Sequence, residues 1–141
     1  MRKETEMSNK SDGNKFEKEL CNILYEDYGF WVHNMLSSRS GQPADIIAVK
    51  RGKAFLIDSK VCENGKFSKS RIEPNQHCAM ELWKACNEQE GWFALKIGEE
   101  IIMIDYRTIL KYKKSTLTAK DIFNVGYKLR RWVDCVNYGF K

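Results

Sequence analysis

Two short apolar runs, residues 44–49 and 54–61, meet across Lys50-Arg51-Gly52-Lys53. No other feature restricts the fold as strongly. Strand-length runs joined by a tight turn that contains glycine read as a β-hairpin. With its turn between residues 51 and 52, the hairpin sets Asp45 across from the region of Asp58. Neighbouring side chains on a strand point to opposite faces, so Asp58 and Lys60 share one face. Phe55, Ile57 and Val61 share the other, with Ser59 between the last two.

The remaining elements group around this hairpin. A first helix is expected from about Gly13 to Tyr28, with Asp12 as N-cap, the stripe Phe16, Leu20, Ile23, Leu24, and Gly29 as its end. Residues 1–12 are polar and read as a mobile tail. Residues 30–35 read as a strand and 37–42 as a loop. A polar loop over 62–72 carries Lys66, Lys69 and Arg71. Pro74 suits the first turn of a second helix reaching about Gln89, with the stripe Ala79, Leu82, Trp83, Cys86. Strands around 92–97 and 101–106 follow, and Thr118 with Asp121 suits the start of a last short helix. The order implies one α/β domain over 13–141, a central mixed sheet with helices on both sides. Its core spans 13–106 and a basic extension 107–141.

Composition narrows the class. The chain is 43% hydrophobic and 30% charged, ordinary for a globular protein, with no apolar run long enough for a membrane span and no signal peptide. A cytoplasmic location is the expectation. The five cysteines include no C-x-x-C pair, and His77, Cys78 and Cys86 fit no common zinc spacing. Between Arg107 and Arg131 there are eight basic residues and a single acid, Asp121. Such asymmetry suits contact with a polyanion, or equally a solvated basic face.

The chemistry sits in the hairpin. An acid and a lysine at the end of an apolar strand are costly to desolvate unless they act together. Asp45, 13 residues before Asp58, interrupts an equally apolar run. Two carboxylates held close repel unless a cation lies between them, and oxygen ligands favour Mg²⁺ or Mn²⁺. With Lys60 beside the pair, the set reads as metal-assisted phosphodiester hydrolysis. The plain alternative is a surface salt bridge and an incidental strand acid. Glu17 borders the buried stripe of the first helix, as a site acid or a boundary residue paired with Lys15. Gln76 lies on the core-facing stripe at the start of the second helix, as a site residue or as a capping or buried amide.

Pro43-x-Asp45 with Asp58-x-Lys60 resembles the defining motif of the PD-(D/E)XK nuclease superfamily, and Gly13-x-x-Phe16-Glu17 resembles its helical acid. More narrowly, Arg39-Ser40-Gly41 ahead of Pro43, Gln76, and Gly91-Trp92-Phe93 resemble Holliday junction resolvases of the archaeal Hjc and bacterial RecU types. The resemblance covers about residues 13–106. It implies a restriction-endonuclease-like fold and an endonuclease leaving 5′-phosphate and 3′-hydroxyl ends. Asp45, Asp58, the Ser59 carbonyl and Glu17 would serve the metal, Lys60 the attacking water, and Gln76 the orientation of the site. Arg39 would contact a phosphate; Lys15, Ser40, Lys66, Lys69 and Arg71 complete the expected DNA-binding set. The partners implied are branched or duplex DNA and a second copy in a homodimer. Asp58 stands where these resolvases usually carry Glu, and Ser59 where an apolar or small residue is commoner.

Three other readings compete. A nuclease of the same core would serve restriction, repair or mobile-element nicking. A non-catalytic DNA-binding protein would have lost one of the three central residues, which are intact. An RNA-binding protein would place aromatic side chains on exposed strand positions, whereas Trp31, Trp83 and Trp92 fall within apolar patterns expected in the core.

Overall fold

In a computed structural model of the chain, residues 2–35 and 44–140 are described, with side chains from Asp12 onward. Arg39, Ser40, Gly41 and Pro43 lie outside the described residues. Helix α1 runs Arg2–Asn22 and closes in a π-helical turn, Ile23–Asp27. It begins well before Gly13, so Asp12 is a helical residue and not the N-cap. Residues 2–12 contain no proline, and extending a formed helix through Lys, Glu and Met costs far less than starting one. Gly29, at φ 71°, takes the left-handed turn that ends it.

Strands β1 (Trp31–Asn34), β2 (Ile46–Lys50) and β3 (Lys53–Val61) form an antiparallel meander. Ile46 faces Ile57 and Lys50 faces Lys53, the register that the turn position implied. β4 (Lys66–Ser68) and a 3₁₀ turn (Lys69–Arg71) lead into α2 (Pro74–Asn87). β5 (Trp92–Ile97) then lies parallel to β3, and β6 (Glu100–Asp105) returns antiparallel. The crossover of the chain through α2, between parallel β3 and β5, makes the sheet mixed. Gly91 admits the crossing: a Cβ there would stand 2.1 Å from the Met80 sulfur.

The C-terminal region completes the fold. After α3 (Tyr106–Lys111), β7 (Thr116–Thr118) pairs with β4 as a separate two-stranded ribbon. α4 (Ala119–Val125) is opened by the Thr118–Asp121 capping box, as expected. β8 (Tyr127–Lys128) adds to β6, giving the order β1-β2-β3-β5-β6-β8, and α5 (Leu129–Tyr138) closes the chain. Leu129, Trp132, Val133 and Val136 recur at helical spacing and are buried. Residues 107–140 are therefore part of the fold and not appended to it.

Each sheet face carries its own core. On one, Phe16, Leu20 and Leu24 of α1 join Trp132 and Val136 over Ile46, Phe55, Ile57 and Trp92. Trp132 stacks on Phe30 at 5.7 Å and meets Phe55 and Trp92 edge-on at 5.1 and 5.7 Å. On the other, Met80, Tyr106, Ile109 and Ile122 cover Leu56, Phe93 and Leu95, with Phe67 and Leu117 of the ribbon.

The second helix departs from expectation. Its buried residues are Gln76 and Met80, while Leu82 is 65% exposed and Cys86 is exposed. Trp31 is also outside the core, 60% exposed on edge strand β1 and stacked with His33. Helical periodicity locates an apolar stripe but does not say what covers it. Here no other element covers Leu82, Cys86 or Trp31 among the described residues. The basic segment is likewise dispersed: Arg107 is held by Glu81 and Glu90, and Lys114 lies 3.2 Å from Asp121.

Candidate active site

The site forms where β2 and β3 part at one end of the sheet. Asp45 stands just before β2, its backbone N–H still donating to Ile57 O at 3.1 Å. Its side chain turns to β3, where Oδ2 accepts from the Ser59 backbone N at 2.7 Å and the Ser59 hydroxyl at 2.9 Å. Ser59, the unusual residue of the motif, thus holds one carboxylate oxygen of Asp45 twice.

Asp58 points to the face opposite Ser59, with its carboxyl still close to that of Asp45, and is 1% exposed. Lys60 lies on the same side, its Nζ 3.1 Å from Asp58 Oδ2. The pair is close but poorly aligned, so Oδ2 is a buried oxygen with no hydrogen-bond donor. Burial, and then the charge of Asp45, push the Asp58 carboxyl up to about 8, with Lys60 opposing.

Gln76 is placed by the start of α2. A capping box joins it to Glu73, whose backbone N–H donates to Gln76 Oε1 at 3.0 Å. A backbone N–H can only donate, so this contact fixes the amide: oxygen toward Glu73 and Lys60, nitrogen toward Asp58. Lys60 Nζ–Oε1 and Nε2–Asp58 Oδ1 are each 3.4 Å.

Glu17 reaches the site from α1, half-buried and not paired with Lys15. Its carboxyl is pushed up to about 8 by desolvation first, then by a hydrogen bond to Asp45 and the charges of Asp45 and Asp58; Asn34 opposes the shift. These residues line one groove of about 670 Å³ with Lys66, Ser68, Arg71 and Thr116.

The groove gathers Glu17, Asp45, Asp58, Ser59, Lys60, Gln76, Lys66 and Arg71 from the expected set. Lys69 is turned away: its ammonium caps α3, donating to Leu110 O at 3.2 Å and Tyr112 O at 2.6 Å. Lys15 is exposed on α1 and is not in the lining. Asn34 and Thr116 were not anticipated. Strand alternation over 30–35 was a usable signal for Asn34; nothing in the sequence marked Thr116, which reaches the groove through the β4–β7 pairing.

Among the described residues no three His, Cys, Asp or Glu side chains stand in a closed metal-binding cluster. The donors nonetheless suit a hard divalent ion: carboxylates crowded enough to retain protons and a buried Asp58 oxygen without a donor. The remaining positions around such an ion would be filled by water or DNA oxygens.

No curated protein matches the chain. Among solved structures, it is similar to Hjc, a Holliday junction resolvase from the archaeal hyperthermophile Archaeoglobus fulgidus, at a TM-score of 0.69 and 15% identity, covering 86% of this chain and 99% of that one. That likeness shows the restriction-endonuclease-like fold. The family model of archaeal Holliday junction resolvase (Hjc) matches residues 8–138. The chain belongs to the Hjc family of Holliday junction resolvases, and is a DNA-acting nuclease.

Proposed function

We propose that this resolvase cuts by divalent-metal-assisted phosphodiester hydrolysis, with Mg²⁺ or Mn²⁺, making paired nicks that leave 5′-phosphate and 3′-hydroxyl ends. The observation that carries this reading is the meeting of Asp45, buried Asp58, Lys60 and Gln76 at one end of the β2–β3 hairpin. Asp45 and Asp58 would hold the ion with the Ser59 carbonyl, and Glu17 would support it. When bound, the ion supplies Lewis-acid polarisation of the phosphoryl group and offsets developing charge. Lys60 orients the attacking water, since its ammonium lies beside Asp58 at the groove floor. Gln76 keeps Asp58 and Lys60 in register through its fixed amide. Ser59 keeps the Asp45 carboxylate from rotating.

The test pairs chemistry with binding. Junction cleavage in Mg²⁺, in Mn²⁺ and in EDTA is followed by ligation of the products, alongside a Mn²⁺ calorimetric titration of parent and Asp45→Asn. Ligatable nicks only with metal, and weaker Mn²⁺ binding by the variant, support the reading. Cutting that persists in EDTA would overturn it.

The same protein works as a homodimer, because paired nicks on opposed strands require two sites. The open stripe of α2 favours this. Ala79, Leu82, Trp83 and Cys86 carry no charge, and on the same side of the sheet lie Ile47 and Val49, with Trp31 and His33 opposite them in register. A monomer leaves Leu82, Cys86 and Trp31 of this patch in water; a second copy would cover them.

A further inference from the structure

We propose that the outer face of the β4–β7 ribbon is a rail for the DNA strand being cut, holding its phosphates through Lys66 and Thr116. The proposal rests on the nuclease reading of the groove and assigns one wall of it. Register sets Lys66 opposite Thr118 and Ser68 opposite Thr116, with Phe67 opposite Leu117. Alternation then divides the ribbon cleanly: Phe67 and Leu117 are fully buried, and the other four side chains face outward. Phe67 packs on Phe93 at 6.0 Å, and Phe93 lies opposite Asp58 in the sheet. The ribbon is thereby pinned to β5, the strand beside Asp58 and Lys60.

What the wall offers is complementary to a phosphodiester chain. The floor of the groove carries Glu17, Asp45 and Asp58; the ribbon strands contribute Lys66, Ser68 and Thr116, with Arg71 beyond them, while Glu63 and Asn64 line the loop that leads into β4. Most of the neighbouring donors already have work. Ser68 Oγ pairs with Ser70 Oγ at 2.8 Å, Lys69 caps α3, and Arg71 donates to Val61 O at 3.0 Å; Thr118 Oγ1 accepts from Asp121 N and lies outside the groove lining. Of the groove-lining side chains on the two ribbon strands, the Lys66 ammonium and the Thr116 hydroxyl are left without a partner among the described residues. A charged and a neutral donor on adjacent strands of a rigid ribbon suit two oxygens of a backbone, which positions a strand without reading its sequence. This also gives the C-terminal region a place in the site, since β7 exists only through its pairing with β4.

The experiment measures binding of a labelled four-way junction to the full chain over a salt series, in an Asp58→Asn background so that nothing is cut. Lys66→Ala should weaken binding by about 5–10-fold near 0.1 M salt and flatten the log–log salt slope by roughly 1. Thr116→Val should weaken binding by about 3–10-fold with the slope unchanged, because a neutral donor releases no counterion. Circular dichroism and melting of each variant check the fold. Both losses with their different slopes support the rail. Parent-like binding by either variant overturns it. Cleavage by the protein with Asp58 intact is scored separately, so failure of the rail and failure of the nuclease reading are distinguishable.

Discussion

The two faces of the central sheet are built on different principles. The face under α1 and α5 is sealed by a contiguous aromatic and aliphatic cluster around Trp132. The face under α2 holds a second core, but it also holds Asp58, Lys60 and Gln76, and it leaves Leu82 of α2 and Trp31 of edge strand β1 in water. One face supplies the stability that lets the other keep buried charge and an open surface. A carboxylate as buried as Asp58 is unfavourable on its own, and a rigid scaffold behind it is what holds it there.

The comparison can be broken from either side. The largest effect should come from Lys60→Met, which keeps the stem and removes the ammonium: cutting should fall by about 10²–10⁴-fold, read as single-turnover rates at saturating enzyme. Next comes the sealed face, where Trp132→Ala should cost about 3–5 kcal/mol in urea unfolding because a fully buried ring leaves a cavity. If Trp132→Ala were neutral, the stabilising role of that face would be wrong. On the open face Leu82→Glu tests the proposed homodimer: sedimentation should show a parent dimer and a monomeric variant, with little change in intrinsic stability.

A subtler test is pH. Glu17 and Asp58 are both pushed up to about 8, whereas unfolded carboxyls titrate near about 4. The folded chain therefore holds protons that the unfolded chain has released. Their contribution is fully present below the unfolded pKa and is lost as pH rises through the folded one. Metal-free protein should lose stability between about pH 4 and 8, and Mg²⁺ should restore it at the alkaline end. Melting curves across that range, with and without the ion, decide this. Smallest is Ser59→Ala, which removes one of two hydrogen bonds to Asp45 Oδ2; a several-fold weaker Mn²⁺ affinity with an unchanged fold is expected.

Much of this was legible in the sequence because strand alternation and turn position are local properties. The pairing of Ile46 with Ile57, and with it the place of Asp45, followed from Arg51-Gly52 alone. The capping boxes at Thr118 and the use of Gln76 near Pro74 were equally local. What failed was long-range. Leu82 and Trp31 lie in apolar patterns that say nothing about whether a layer covers them. Lys69 looked like any other loop cation until the end of α3 arrived beside it. Thr116 enters the site through a strand pair separated by some fifty residues, Lys66↔Thr118 at its far end, which no local pattern encodes.

The most direct test of the central claim is cleavage of a labelled four-way junction in Mg²⁺, beside the matching duplex and single strand, by the parent protein and by Asp58→Asn. The account predicts symmetric nicks in the junction alone, and a variant that binds the junction but leaves it whole. Nicking by Asp58→Asn at the parent rate would contradict it, because the buried carboxylate at the end of β3 would then have no part in the chemistry.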